Sequence, residues 1–287
     1  MLNLIRMDLH RLFRIKSFWI MIAVTVAVAL FSVYMTHFDA TSQSDMVVDM
    51  TDMSVSEVSP DEADVTFGIY VDTKSEWADK IDFTDLINSN IAGNMLAILC
   101  AIFPPIFVNG EQKNGYIKNI AGQLSNRGML VLSKLATVAV QVFIIFVVFI
   151  FSAAVMGKIC WGNEMVFESI GDFAKVFGIQ YLLHFSFASL VTALTILVRG
   201  SGLGMTFGIL CSTGITSLLY AFADILLHKC GASEEFTISS YFIENCITIV
   251  NPELSGGDLV RVIAVGAVFL VASTLISMTV MQKRDIR

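Results

Sequence analysis

Charge is what this sequence has least of. Only 15% of its 287 residues are Asp, Glu, Lys or Arg, against about 25% in an ordinary soluble domain. Apolar residues make up 55%, and the mean hydropathy is +0.74. A chain this poor in charge belongs to the membrane class before any motif is read. Four prolines leave long stretches free of helix breakers. The five cysteines, Cys100, Cys160, Cys211, Cys230 and Cys246, contain no C-x-x-C pair, which removes zinc ribbons and thioredoxin-type redox motifs. Cys230 and Cys246 fall in one expected outer loop, where they either pair or remain free thiols. G-x-S-x-G, H-E-x-x-H and the EF-hand loop are all missing. The four histidines, His10, His37, His184 and His228, lie on different segments. The composition and motifs point to no enzyme and no metal site.

One near-miss is informative. Gly110 and Gly115 have the spacing that opens a phosphate-binding loop. That loop next needs Lys, which reaches the phosphates, and Ser or Thr, which holds magnesium; Tyr116-Ile117 stand there instead. The stretch also follows an apolar run rather than a strand.

What the sequence has in abundance is long apolar runs. A bilayer core about 30 Å thick needs roughly 20 apolar residues in helix. Six runs qualify: 17–36, 91–108, 129–155, 173–198, 203–227 and 259–281. The first is too long for a signal-peptide core and has no small-residue cleavage site after it, so it reads as an uncleaved span. Lys and Arg set the orientation. Twelve of the 18 basic residues lie in the leading segment, the 109–134 connection, Arg199 and the tail, whereas 13 of the 25 acidic residues lie between Asp39 and Asp85. Both chain ends are therefore expected in the cytoplasm, with an even number of spans between them. The expected class is an all-α integral membrane protein with six transmembrane helices, forming one membrane domain over residues 1–287.

Four parts lie outside the spans. In residues 1–16, Leu4, Ile5, Leu9, Leu12 and Phe13 recur at helical spacing among Arg6, Arg11, Arg14 and Lys16. That pattern is either a helix lying in the membrane surface with its cations toward lipid headgroups, or a basic flank that sets topology. Residues 37–88 form an acidic outer loop. There Val65, Phe67, Ile69 and Val71 alternate as in a strand, Met46, Val48 and Met50 do so more weakly, and Trp77 and Ile81 are expected at the membrane interface. Residues 110–128 form a cytoplasmic segment in which Tyr116, Ile117, Ile120 and Leu124 share one helical face, entered from a span kinked at Pro104-Pro105. Residues 229–258 contain Tyr241–Val250, too apolar for open solvent and too short to span, which reads as a re-entrant or interfacial helix before the last span.

Within the spans, Asp224, His184, Gln180 and Gln141 are candidates either for a transport pathway or for packing through interhelical hydrogen bonds. Gly204 and Gly208 permit close helix approach, within the subunit or between subunits.

The run "FPPIFVNGEQKNGYIKNIAGQLSNRGMLVLSKL" resembles the signature of bacterial ABC type-2 permeases. There an acidic residue is followed by a glycine, Lys-Asn, an amphipathic run, an Arg, and a Lys at the start of the third span. The matching positions are Glu111, Gly115, Lys118, Asn119, Arg127 and Lys134. The opening "MLNLIRMDLHRLFRIKSFW" is similar to that family's elbow helix, and "MQKRDIR" to its basic tail. The layout is closest to the permeases of bacitracin-type and lantibiotic-immunity exporters. The resemblance implies a permease subunit in the bacterial cytoplasmic membrane, among its lipids, exporting an amphipathic peptide or antibiotic. A sodium or lipid exporter is the alternative within that class, and a non-transporting membrane scaffold or sensor the alternative outside it. It also implies a second permease, identical or related, and separate ATP-binding cassette subunits that carry ATP and magnesium, with no cofactor on this chain and no nucleic acid as partner. Glu111, Gly115, Tyr116, Lys118, Asn119 and Arg127 would then couple the spans to the ATPase, with Arg6, Arg11 and Arg14 on the elbow helix.

Overall fold

The computed structural model describes residues 2–50, 73–113, 127–229 and 237–283. Helix dominates, as it must where backbone groups have no water to bond with. The helices are α1 (Leu2–Arg14), α2 (Lys16–Met50), α3 (Phe83–Ala92), α4 (Met95–Lys113), α5 (Gly128–Trp161), α6 (Ile170–Val198), α7 (Ser201–Ser212), α8 (Ile215–Lys229), α9 (Ile243–Ile249) and α10 (Gly256–Lys283). Four are long and apolar enough to cross a membrane: α2 over Lys16–Ser42, α5, α6 and α10. A fifth crossing is available if the bent pair α3–α4 counts as one. The fold is thus an all-helical one compatible with a membrane-embedded protein.

The fifth run is not one helix. Residues 203–227 are divided between α7 and α8 at Thr213 and Gly214. Thr213 N–H donates to Ile209 O, Gly214 N–H donates to Cys211 O, and Gly214 takes a φ of 76°, which ends the helix in the way glycine allows. At 12 and 15 residues the two pieces are about 18 and 22 Å long, each short of a bilayer core.

Two further expectations are corrected. The break in the second apolar run lies at Gly93-Asn94, where α3 and α4 meet at 56°. Asn94 sits at φ 61°, a conformation that Asn adopts more readily than most residues. Pro104 and Pro105 lie inside α4. α2 continues to Met50, so Met46, Val48 and Met50 are helical rather than extended. Trp77 and Ile81 are buried within the protein. Trp161 Nε1 donates to Trp77 O at 2.5 Å, and Ile81-Asp82 (β1) pairs in parallel with Met165-Val166 (β2). The expected strand at Val65–Val71 falls outside the described residues.

α6 is the central helix. Its most apolar window is 61% buried, against 22% for α10, and it packs on α4, α5, α7, α9 and α10. Gly208 makes part of this possible. A Cβ there would lie 2.6 Å from Ala101 Cβ and 3.1 Å from Val191 Cγ2, so α7 meets α4 and α6 at near-backbone distance. Gly204 likewise faces Thr195 on α6. Both glycines therefore serve packing inside the chain. The expected short helix before the last span is α9, whose Ile243, Cys246 and Ile247 are buried against α6 and α10. Cys246 is a free thiol that points at Ser240 O, 3.5 Å away; Cys230 lies outside the described residues.

Candidate functional site

The sequence-based coupling residues fall mostly on residues 114–126, which lie outside the described residues, as do Gly115, Tyr116, Lys118 and Asn119. Glu111 is on the last turn of α4, and Arg127 immediately precedes α5. What the structure describes are the two flanks of that segment and the helix that joins them.

That helix is α1. Leu4 and Leu9 pack partly, and Leu12 fully, into the main apolar core, while Arg6 and Arg14 are exposed and Phe13 is half-exposed. Asp8 shares the buried stripe with Leu12, four residues on, and is only 3% exposed. Ser133 Oγ, in the second turn of α5, donates to Asp8 Oδ2 at 2.5 Å. Arg11 turns inward as well: its Nη2 donates to Phe107 O on α4 at 3.0 Å, and its guanidinium lies 4.9 Å from the Phe107 ring centre. Lys134 is 1% exposed and places its ammonium 5.9 Å from the centre of the same Phe107 ring. Burial pushes the Asp8 carboxyl above its ordinary value of 3.8, opposed by the Ser133 hydroxyl and the Arg11 charge. α1 thus bonds to the last turns of α4 and to the first turns of α5, bracketing residues 114–126. Asn109 Nδ2 adds a third element by donating to Ser201 Oγ at the start of α7, 3.0 Å away. Trp19 Nε1 reaches back to Phe13 O at 2.9 Å and closes the elbow between α1 and α2.

α1, the last turns of α4, the first turns of α5 and the start of α7 therefore meet at one end of the helical assembly. Asp8 and Ser133 were not anticipated. Asp8 was legible as a lone acid on the apolar stripe Leu4, Asp8, Leu12; Ser133 carried no signal, because its partner lies 125 residues away.

The candidates within the spans are interhelical ties. Gln180 Nε2 on α6 donates to Ile247 O on α9 at 3.0 Å and to Asn88 Oδ1 on α3 at 3.4 Å. Asn88 Nδ2 donates to Val250 O at 2.6 Å. His184 Nδ1 is 2.8 Å from Gln180 O, and its ring meets Phe146 edge-on at 5.0 Å. Gln141 Nε2 contacts Met21 Sδ at 4.0 Å. Gln180 Oε1, His184 Nε2 and Gln141 Oε1 are buried without a partner among the described residues, so the interior of the bundle carries spare polar capacity. Asp224 bonds to the backbone. It is 8% exposed, and its Oδ1 and Oδ2 accept from the Ile238 and Ser239 amides at 2.5 and 3.4 Å, holding the turn that leads into α9. A second buried acid, Glu244, was missed. Its Oε1 accepts from Tyr220 OH at 2.7 Å and Thr216 Oγ1 at 3.2 Å, fixing α8 to α9. No group of three or more His, Cys, Asp or Glu among the described residues is arranged to hold a metal ion.

No family model matches this sequence, and no curated protein matches it.

Proposed function

We propose that the chain is the membrane-spanning permease subunit of an ATP-driven exporter in the bacterial cytoplasmic membrane, working with separate ATP-binding cassette subunits and a second permease. One observation carries this reading. The amphipathic helix at the N-terminus is bonded through buried polar groups to both helices that flank the segment resembling a coupling element. A soluble motor pressing on residues 110–128 would press on α1, α4 and α5 together. A scaffold without a motor has no need to join these three at one end. The six crossings follow if α3–α4 and α7–α8 each act as one broken span. Both ends of the chain are then cytoplasmic. Amphipathic peptides or antibiotics are the substrate class that the motif resemblance suggests.

The test is co-purification of the full chain with the product of a neighbouring ATPase gene, followed by hydrolysis assays in proteoliposomes. Glu111→Ala combined with Lys118→Ala is expected to weaken assembly or to uncouple hydrolysis from export. Unchanged assembly and unchanged transport would remove the coupling assignment. Failure of any ATPase to associate would favour the scaffold reading.

A further inference from the structure

At the end of the molecule opposite α1, a cavity of about 700 Å³ opens between the start of α3, the start of α6 and the strand after α9. That volume is in the range of small-molecule sites, about 300–1,000 Å³. Five carboxylates line it, from Asp82, Asp85, Glu168, Asp172 and Glu253, against one cation, Lys74. They come from three separate stretches of chain that folding brings together.

Two of these acids are already engaged. Asp82 caps α3 by accepting from the Thr84 amide at 3.0 Å, and it accepts from the Glu168 amide at the same distance. Glu168 pairs with Lys80 at 3.4 Å. Asp85, Asp172 and Glu253 have no ion pair among the described residues; Asp85 lies within electrostatic reach of three carboxylates, Asp82, Glu168 and Glu253, and of one cation, Lys74. The adjacent Lys175 does not neutralise them, because its ammonium is turned to the carbonyls of Pro252, at 2.9 Å, and Leu254. A second observation is independent of charge. Thr84 lines the cavity, is 1% exposed, and its hydroxyl has no hydrogen-bond partner among the described residues. A buried hydroxyl left unpaired is costly unless something bonds to it.

We propose that this cavity binds organic cations carrying two or more ammonium groups, with Asp85, Asp172 and Glu253 supplying the charge and Thr84 a hydrogen bond. The acids are spread over the cavity wall, and none of the described groupings suits a metal ion, so an extended cation fits where a point charge does not. The same ammonium chemistry is offered by a free polyamine and by the lysines of a peptide. The site stands whether or not the chain is an exporter, because binding is read on the chain alone.

The experiment uses the full chain in nanodiscs of zwitterionic lipid, titrated calorimetrically at fixed ionic strength with spermidine and, separately, with trilysine. Saturable binding of at least one is expected, and the tighter of the two identifies the source. Asp85→Asn with Asp172→Asn and Glu253→Gln is expected to weaken it by about tenfold or more. Thr84→Val, which keeps shape and charge, is expected to weaken it several-fold with an unchanged melting temperature. Glu76→Gln with Asp79→Asn removes two nearby carboxylates outside the cavity and is expected to leave affinity as it was. Non-saturable uptake of both probes, an equal loss in the Glu76/Asp79 variant, or full affinity in Thr84→Val would each overturn the site.

Discussion

The two ends of this molecule treat charge in opposite ways. At the α1 end, Asp8, Arg11 and Lys134 are withdrawn from solvent and committed to partners on neighbouring helices. At the other end, five acidic side chains stand around an open cavity against one lining lysine, Lys74, and the adjacent Lys175 bonds to backbone carbonyls. Buried polar groups that are fully bonded fix one arrangement of helices. Charges around a solvent-filled cavity fix little and remain available to a ligand. The first end is built as a joint and the second as a receiving surface.

The contrast can be broken or sharpened by mutation. The largest effect is expected where the two ends are connected, at the α4–α6–α7 contact. Gly208→Val would force side-chain atoms into Ala101 and Val191 and is expected to cost about 3 kcal/mol or more, read as loss of monodisperse protein and a lower melting temperature in detergent. Next comes the joint. Ser133→Val removes the donor to Asp8 and leaves a buried carboxylate short of a bond, for an expected loss of about 1–3 kcal/mol in thermal or denaturant unfolding. A loss no larger than that of an exposed serine would mean that Asp8 is not held there.

The third effect is a slope. Because the folded chain raises the Asp8 pKa above 3.8, it keeps a proton that the unfolded chain has already released. The stabilisation from this group is full below that ordinary value and is lost as pH rises through the raised one. Asp8→Asn is expected to flatten this part of the stability–pH curve. An unchanged slope would assign it to other carboxylates. The smallest effect belongs to the receiving surface: Asp172→Asn with Glu253→Gln is expected to shift stability without ligand by no more than about 0.5 kcal/mol. A large shift would show that these acids are structural, and the contrast between the ends would fail.

The helices were legible because apolar runs of 18 or more residues leave few other structures open to the chain. Their breaks were not. Gly93 and Gly214 sit within apolar runs where glycine is tolerated, and the sequence does not show which glycine will take a positive φ or sit beside a residue that does. The extension of α2 to Met50 was hidden for the opposite reason, since the residues after Phe38 are too polar to show a buried face. Of the candidate residues, Gln180 and Gln141 were recognised by type, but their partners on α9, α3 and α2 lie 67 to 120 residues away. The amide partners of Asp224 were hidden because an acid near a span end looks alike whether it faces a headgroup or a backbone amide. Glu244 was hidden in a short apolar helix whose burial depends on α8.

The double attachment of α1 has a mechanical consequence. Phe107 and Ser133 belong to helices that leave and re-enter the bundle around residues 114–126, and a 13-residue helix holds one bond to each through side chains three residues apart. Any movement that separates the end of α4 from the start of α5 must stretch or break one of those bonds. α1 therefore acts as a strain gauge for that gap, and a reporter dye on exposed Arg6→Cys would register the gap opening without touching either helix.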